Sequence, residues 1–236
     1  MHTKQNEWNE NDETTLLKLR NKNFSYLDIA QIMGKTPDSL RNKYWQLKNK
    51  NNNKWIEDER VAFLDIETSG FEANFHYMLS WSIKYQNGEI KHDCITRRDI
   101  TKGDFDKRIL KSLLAELENA DTIVTYYGSR FDIPFLRTRA LMLNLDFPHY
   151  GAKRQIDLYY SVKYGMKLAR NTLEQATLAL GIEGKNHVLG DEWLRARVGD
   201  RKALDYVLDH NDKDVLILED LYNRLLPYNK FPKKSI

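Results

Sequence analysis

The run Val61-Ala62-Phe63-Leu64-Asp65-Ile66-Glu67-Thr68-Ser69-Gly70 decides how this chain is read. Four apolar residues enter it and a Thr-Ser-Gly turn closes it, which predicts a buried strand reaching its C-terminal end. Side chains alternate along a strand, so Asp65 and Glu67 share one face. Two ionised carboxylates about 5 Å apart repel by roughly 3 kcal/mol at an effective dielectric near 20. A core strand holds such a pair only with positive charge beside it, and a divalent cation bound by hard oxygen ligands is the usual answer. The alternative is a chance acidic strand end at the surface.

Downstream, residues 76–86 predict a second strand, Asn87-Gly88 a hairpin turn, and 89–96 the return strand. Residues 104–119 predict an amphipathic helix carrying Phe105, Ile109, Leu113, Leu114 and Leu117, and 122–127 a β-rich strand ending at Gly128. Helices are expected to dominate from there to the end. Asp132 opens one of them, where a carboxylate also suits the positive end of the helix dipole. Residues 200–226 predict one long helix. Leu204, Leu208, Val215, Leu218, Tyr222 and Leu225 make one stripe, and Val207, His210, Asp214, Ile217 and Leu221 the next. His210 and Asp214 thus face inward, where an unpartnered carboxylate is costly. They could also be a plain i,i+4 pair. Asp205, Asp209 and Asp212 fall on the outer side and are expected to be solvated.

Upstream, the chain changes character. Between Lys35 and Lys54 there are six basic residues and one acid, Asp38, and 48–54 is a polar, low-complexity stretch without an apolar side chain. This predicts a small module over 1–50, a linker over 51–59 and a larger α/β domain over 60–236. The module reads as three helices. Asn9 or Asn11 caps the first, with Leu16, Leu17 and Leu19 as its apolar stripe. Ser25 and Asp28 form a capping box for the second, which buries Leu27, Ile29, Ile32 and Met33 and stops at Gly34. Thr36-Pro37 starts the third, which buries Leu40, Tyr44 and Leu47. Ser39, Arg41, Asn42, Lys43 and Gln46 are the polar and basic residues left to meet phosphates and base edges.

Bulk properties exclude several classes. The 236 residues are 41% hydrophobic and 30% charged, which fits a soluble globular protein. No apolar stretch is long enough to span a membrane, and the first residues lack a signal-peptide core. A single cysteine, Cys94, rules out an internal disulfide and fits a reducing compartment. The expected location is cytoplasmic, or nucleoid or nuclear, and not secreted. A net charge of +3 does not by itself specify a nucleic-acid partner.

Two resemblances follow from these residues. Trp8, Tyr26-Leu27-Asp28-Ile29-Ala30, Gly34-Lys35-Thr36 and Tyr44-Trp45-Gln46-Leu47 resemble the Myb/SANT-type helix-turn-helix, whose third helix enters the DNA major groove. Some such domains bind protein tails instead. Over residues 60–226, Asp65-Ile66-Glu67-Thr68, then Gly128-Ser129-Arg130-Phe131-Asp132-Ile133-Pro134, then Asp214 preceded by His210, resemble the DEDD superfamily of 3′–5′ exonucleases, close to the proofreading branch of family B DNA polymerases. The fold implied is a ribonuclease-H-like mixed sheet flanked by helices, preceded by the small three-helix domain.

The chain departs from the pattern in two places. Tyr127 stands where Asn often precedes the motif glycine. His210 lies four residues before Asp214, the spacing of tyrosine-type members, so the general base could be His210, Tyr206 or water alone.

The chemistry the resemblance implies is two-metal phosphodiester hydrolysis with Mg²⁺ or Mn²⁺. Asp65, Glu67, Asp132 and Asp214 would be the ligands, with His210 at the attacking water. Thr68 and Phe131 would touch the substrate, and Tyr126 or Tyr127 could stack on bases or belong to the core. Single-stranded DNA 3′ ends would reach the catalytic domain and duplex the N-terminal module. RNA remains an alternative substrate, an endonuclease an alternative mode, and a non-catalytic DNA-binding scaffold an alternative class.

Overall fold

The computed structural model describes residues 8–22, 24–50, 60–86, 88–183, 190–228 and 234–235. The chain divides into two compact units, Met1–Glu59 and Arg60–Ile236.

The first unit contains α1 (Glu10–Asn21), α2 (Tyr26–Met33) and α3 (Pro37–Lys50). Asn9 is the first cap, its side chain accepting from the Asp12 N–H. Ser25 and Asp28 form the reciprocal capping box, and Gly34 ends α2 at φ 63°, where the missing Cβ removes the strain. Leu16, Ile29, Leu40 and Leu47 are the buried centre. The expected burial of Leu27 and Ile32 is corrected: they are 69% and 56% exposed. Packed against α1 and α3, this eight-residue helix buries one narrow stripe, centred on Ile29.

The second unit is built on a mixed sheet. Its strands are β1 (Val61–Thr68), β2 (Met78–Tyr85), β3 (Ile90–Cys94), β4 (Thr122–Thr125), β5 (Arg154–Asp157) and β6 (Lys234–Ser235), in the order β3-β2-β1-β4-β5-β6. β2 runs antiparallel to both β1 and β3, β4 and β5 run parallel to β1, and β6 is antiparallel to β5. The C-terminal ends of β1, β4 and β5 therefore open on one edge, the usual place for a ligand in such sheets.

The helices are α4 (Arg97–Lys102), α5 (Lys107–Glu118), α6 (Asp132–Met142), α7 (Leu158–Gly165), α8 (Leu173–Ala179), α9 (Gly190–Ala196) and α10 (Arg201–Leu225). They cover both faces. Ala62, Leu64 and Ile66 of β1 pack with Ile109 and Leu113 of α5 and Leu136 of α6. Val61 and Phe63 pack on the opposite side with Val215, Leu218 and Tyr222 of α10 and Val162 of α7. By the strand period of two, Asp65 and Glu67 continue the row of Val61 and Phe63, toward α10.

Several expected boundaries move. Residues 76–77 precede β2 because the chain turns there, with the His76 N–H bonded to the Glu72 carbonyl. Asn87 of the expected hairpin turn lies outside the described residues, as does the expected linker 51–59. Strands β5 and β6 stand within the region expected to be mainly helical. Arg154-Gln155-Ile156-Asp157 is too short and too polar to show a period.

Candidate active site

Asp65 and Glu67 sit at the open end of β1, both half-buried. Across the β1–β2 pair they register with Ser82 and Ser80. After β4 the chain makes a tight passage. Tyr127 adopts φ 63°, in the left-handed region that Asn enters more readily than Tyr. A Cβ on Gly128 would lie 2.5 Å from the Thr125 side chain, so only glycine fits. That passage delivers Asp132 as the first residue of α6, only 5% exposed.

Burial pushes the Asp132 carboxyl up to about 7, main-chain N–H groups of Asp132 and Ile66 oppose this, and the charge of Asp157 adds to it. The Ile66 contact sets Asp132 against the β1 backbone between Asp65 and Glu67.

His210 and Asp214 are buried on α10, with His210 Nδ1 3.7 Å from Asp214 Oδ1. Glu67, His210 and Asp214 each offer a ligand atom within 4.8 Å of the others. Two carboxylates and an imidazole at that spacing make a donor set able to hold a divalent metal ion. The Trp193 ring of α9 packs edge-on to His210 at 6.2 Å, and its Nε1 donates to the Thr68 carbonyl at 3.0 Å. Thr68 itself is buried and donates its hydroxyl to the Gly70 carbonyl at 2.7 Å. Tyr206 packs against the core around Leu204 and Val207.

Phe131 is half-buried, 6.2 Å from the exposed ring of Phe71 and 5.7 Å from Phe135. Tyr126 donates its hydroxyl to the Asn171 carbonyl, and burial raises its pKa. Tyr127 is 47% exposed.

Two polar residues emerge that the sequence left without a part, and a third that it placed in solvent. Asn211 is fully buried, donates from Nδ2 to Asp65 Oδ2 at 2.6 Å and accepts from the Ser80 hydroxyl at 3.2 Å. Its place between His210 and the next inward residue was the available signal. Asp157, the buried last residue of β5, accepts from the N–H groups of Tyr127 and Ser129 at 2.7 and 3.0 Å. It fixes the loop that carries Asp132, and an acid closing a short strand is the same signal that marks Asp65. Asp212 corrects the expectation of a solvated outer face: it accepts from the Ser82 hydroxyl at 2.5 Å and lies 2.8 Å from His92 Nδ1. Strands β2 and β3 reach under that side of α10.

In the three-helix unit, Arg41 and Asn42 are exposed and Ser39 half-buried. Lys43 turns inward, 2.6 Å from Glu13 and over the Trp8 ring. The Gln46 side chain lies outside the described residues.

Comparison with known proteins places the larger unit. A family described as the RNase_H superfamily matches residues 62–226. The structure of the family B DNA polymerase from the hyperthermophilic archaeon Pyrobaculum calidifontis superposes with a TM-score of 0.61 at 18% identity, over 72% of this chain and 25% of that one. This chain thus spans about a quarter of the polymerase, and at that identity the likeness speaks for the fold. No curated protein matches.

Proposed function

This chain belongs to the RNase_H superfamily, and from that premise we propose that it is a metal-dependent 3′–5′ exonuclease acting on DNA. The observation that carries the reading is the meeting of Glu67, His210 and Asp214 from two distant segments at the open edge of the sheet, with Asp132 against Ile66 beside them. Asp65, Glu67, Asp132 and Asp214 would hold Mg²⁺ or Mn²⁺, two ions in the full arrangement. Such ions neutralise charge on the phosphodiester and lower the pKa of a bound water.

The chain's own residues supply position and proton handling. Asn211 holds Asp65 through a 2.6 Å hydrogen bond, backed by Ser80. Asp157 fixes the Tyr127–Ser129 loop, so that Asp132 projects from a rigid turn. His210, buried among apolar neighbours and beside Asp214, is the group to orient the attacking water and accept its proton. Trp193 backs its ring. Phe131, with Phe71, offers an aromatic surface to the terminal base.

The three-helix unit is assigned here as a duplex-binding module over residues 1–50, joined by residues 51–59 to a catalytic domain over 60–236. Arg41, Asn42 and Ser39 are its candidate contacts. Lys43, paired with Glu13, contributes less than its charge suggests. Tethering would raise the local concentration of DNA ends at the catalytic domain. Among the described residues no helix is long and apolar enough to cross a membrane.

The test is hydrolysis of end-labelled single-stranded DNA and RNA with Mg²⁺, with Mn²⁺ and in chelator. The expected result is stepwise shortening from the 3′ end of DNA, only with metal. Equal activity in chelator, internal cuts, or a preference for RNA each overturns the corresponding part.

A further inference from the structure

A strip of tyrosines runs from the candidate site along α7. The rings of Tyr127 and Tyr159 lie 4.8 Å apart, those of Tyr159 and Tyr160 5.1 Å, and those of Tyr160 and Tyr164 6.1 Å with nearly parallel planes. The first and last are open to solvent, Tyr127 at 47% and Tyr164 at 77%. Core packing does not explain this. Tyr126, one residue from Tyr127, shows the structural use of tyrosine here: its hydroxyl is bonded to a main-chain carbonyl and its ring packs against the core. The strip instead leaves aromatic surface in water, a feature that marks binding surfaces.

Cations flank the rings. Arg130 donates from Nε to the Tyr160 hydroxyl at 3.1 Å. Lys163 lies between two rings, its Nζ 5.8 Å from the Tyr159 centroid and 5.6 Å from that of Tyr164. The strip is also continuous with the site. Tyr127 and Arg130 belong to the same short passage as Asp132, and that passage is bonded to Asp157, which caps α7.

We propose that Tyr127, Tyr159, Tyr160 and Tyr164, with Arg130 and Lys163, form a track for single-stranded DNA leading away from the carboxylates. The proposal rests on the nuclease reading above and names where the nucleotides upstream of the scissile bond lie. A single strand presents unstacked base faces and a phosphate backbone, and aromatic rings alternating with cations answer both. A duplex hides its base faces and would find only the cations.

Binding is read on the full chain in chelator, so that nothing is cleaved, with excess unlabelled duplex present. The probe is a fluorescent oligothymidylate of about twelve nucleotides, enough to cover a typical single-strand site. Tyr164→Ala is expected to weaken binding about tenfold and Tyr164→Phe to keep it, since the ring face is what stacks. Lys163→Ala is expected to reduce the slope of log affinity against log salt by about 0.7, the value of one phosphate contact on a single strand. Tyr164 and Lys163 are exposed, so unchanged circular dichroism is expected in each variant. Wild-type affinity in the Tyr164→Ala, Lys163→Ala double variant overturns the proposal, as does a lack of binding by the unaltered chain. Tighter binding of oligouridylate overturns the assignment to DNA. Hydrolysis is assayed separately. A chain that cleaves nothing but still loses affinity on Tyr164→Ala keeps the track and loses the nuclease reading. A chain that cleaves but ignores the substitution does the reverse.

Discussion

The larger unit holds one fully buried carboxylate, Asp106, and a cluster of buried and half-buried ones at the sheet edge, and it handles them differently. Asp106, fully buried, receives Arg139 Nε at 2.9 Å and Nη2 at 2.6 Å, and the Met78 N–H at 3.0 Å. A charged fork and a main-chain donor satisfy it within the fold, and it ties α6 to β2 and the start of α5. At the sheet edge, Asp65 meets the amide of Asn211 and Asp214 an imidazole, while burial holds Asp132 up to about 7. Satisfaction by protein groups marks a structural carboxylate. A cluster of acids brought from distant segments to an open sheet edge, with a strongly raised pKa among them, marks a candidate metal site. The two sites should therefore respond to substitution in different readouts, the cluster in turnover and Asp106 in stability.

The largest contrast is in turnover. Glu67→Gln or Asp214→Asn should cost at least about 1000-fold in metal-dependent hydrolysis, since several kcal/mol of charge stabilisation goes with the ligand. Comparable rates in these variants would remove the comparison altogether. The counterpart is stability: Arg139→Ala strands Asp106 and should cost about 3–5 kcal/mol in denaturant unfolding.

Metal itself comes next. At 100 times its dissociation constant, Mn²⁺ should stabilise the chain by about 2.7 kcal/mol. Thermal unfolding reads this as a rise in Tm, and Asp214→Asn should abolish it while Arg139→Ala keeps it.

A pH dependence follows from Asp132. Its folded-state pKa, about 7, lies well above the ordinary aspartate value, so the folded protein holds the proton more tightly than the unfolded chain. The associated stability is fully present below about pH 4 and is lost as pH rises through 7. In chelator, unfolding free energy should fall across that window by about 1–3 kcal/mol. Asp132→Asn should flatten the fall, measured by denaturant titration at pH 5 and pH 8.

The finest test concerns Asn211. Asn211→Asp should disturb Asp65 by like charge, and Asn211→Ala should lower metal affinity or turnover about 10–100-fold, as loss of a supporting hydrogen bond does. A Ser80→Ala variant should show a smaller change of the same kind, because Ser80 acts only through Asn211.

The sequence carried unequal parts of this picture. The β1 strand was legible because Val61 to Thr68 combines an apolar lead with alternating acids, and its burial follows that pattern. The long helix was legible because its stripes repeat at three and four over 25 residues. The caps at Ser25 and Gly34 were legible because they rest on local chemistry. Strand β5 was not, since four residues give no period, and with it went Asp157. Leu27 and Ile32 were misassigned because composition fixes how apolar a helix is but not how much of it its neighbours cover. Asp212 was misassigned because a helical stripe is defined against one partner, and α10 has β2 and β3 on a second side.

By itself, then, the sequence determined the local elements and the residue types able to bind a cation: periodicity, capping and an acid pair on one strand are properties of neighbours along the chain. Only the tertiary structure decided which acids meet. Glu67 and Asp214 are joined by no local rule. They come within reach because β1 is paired on both sides, which fixes its register, and because α10 packs on the face where Val61 and Phe63 point. Asn211 owes its hold on Asp65 to that same packing, and Asp157 its place to the pairing of β5 with β4.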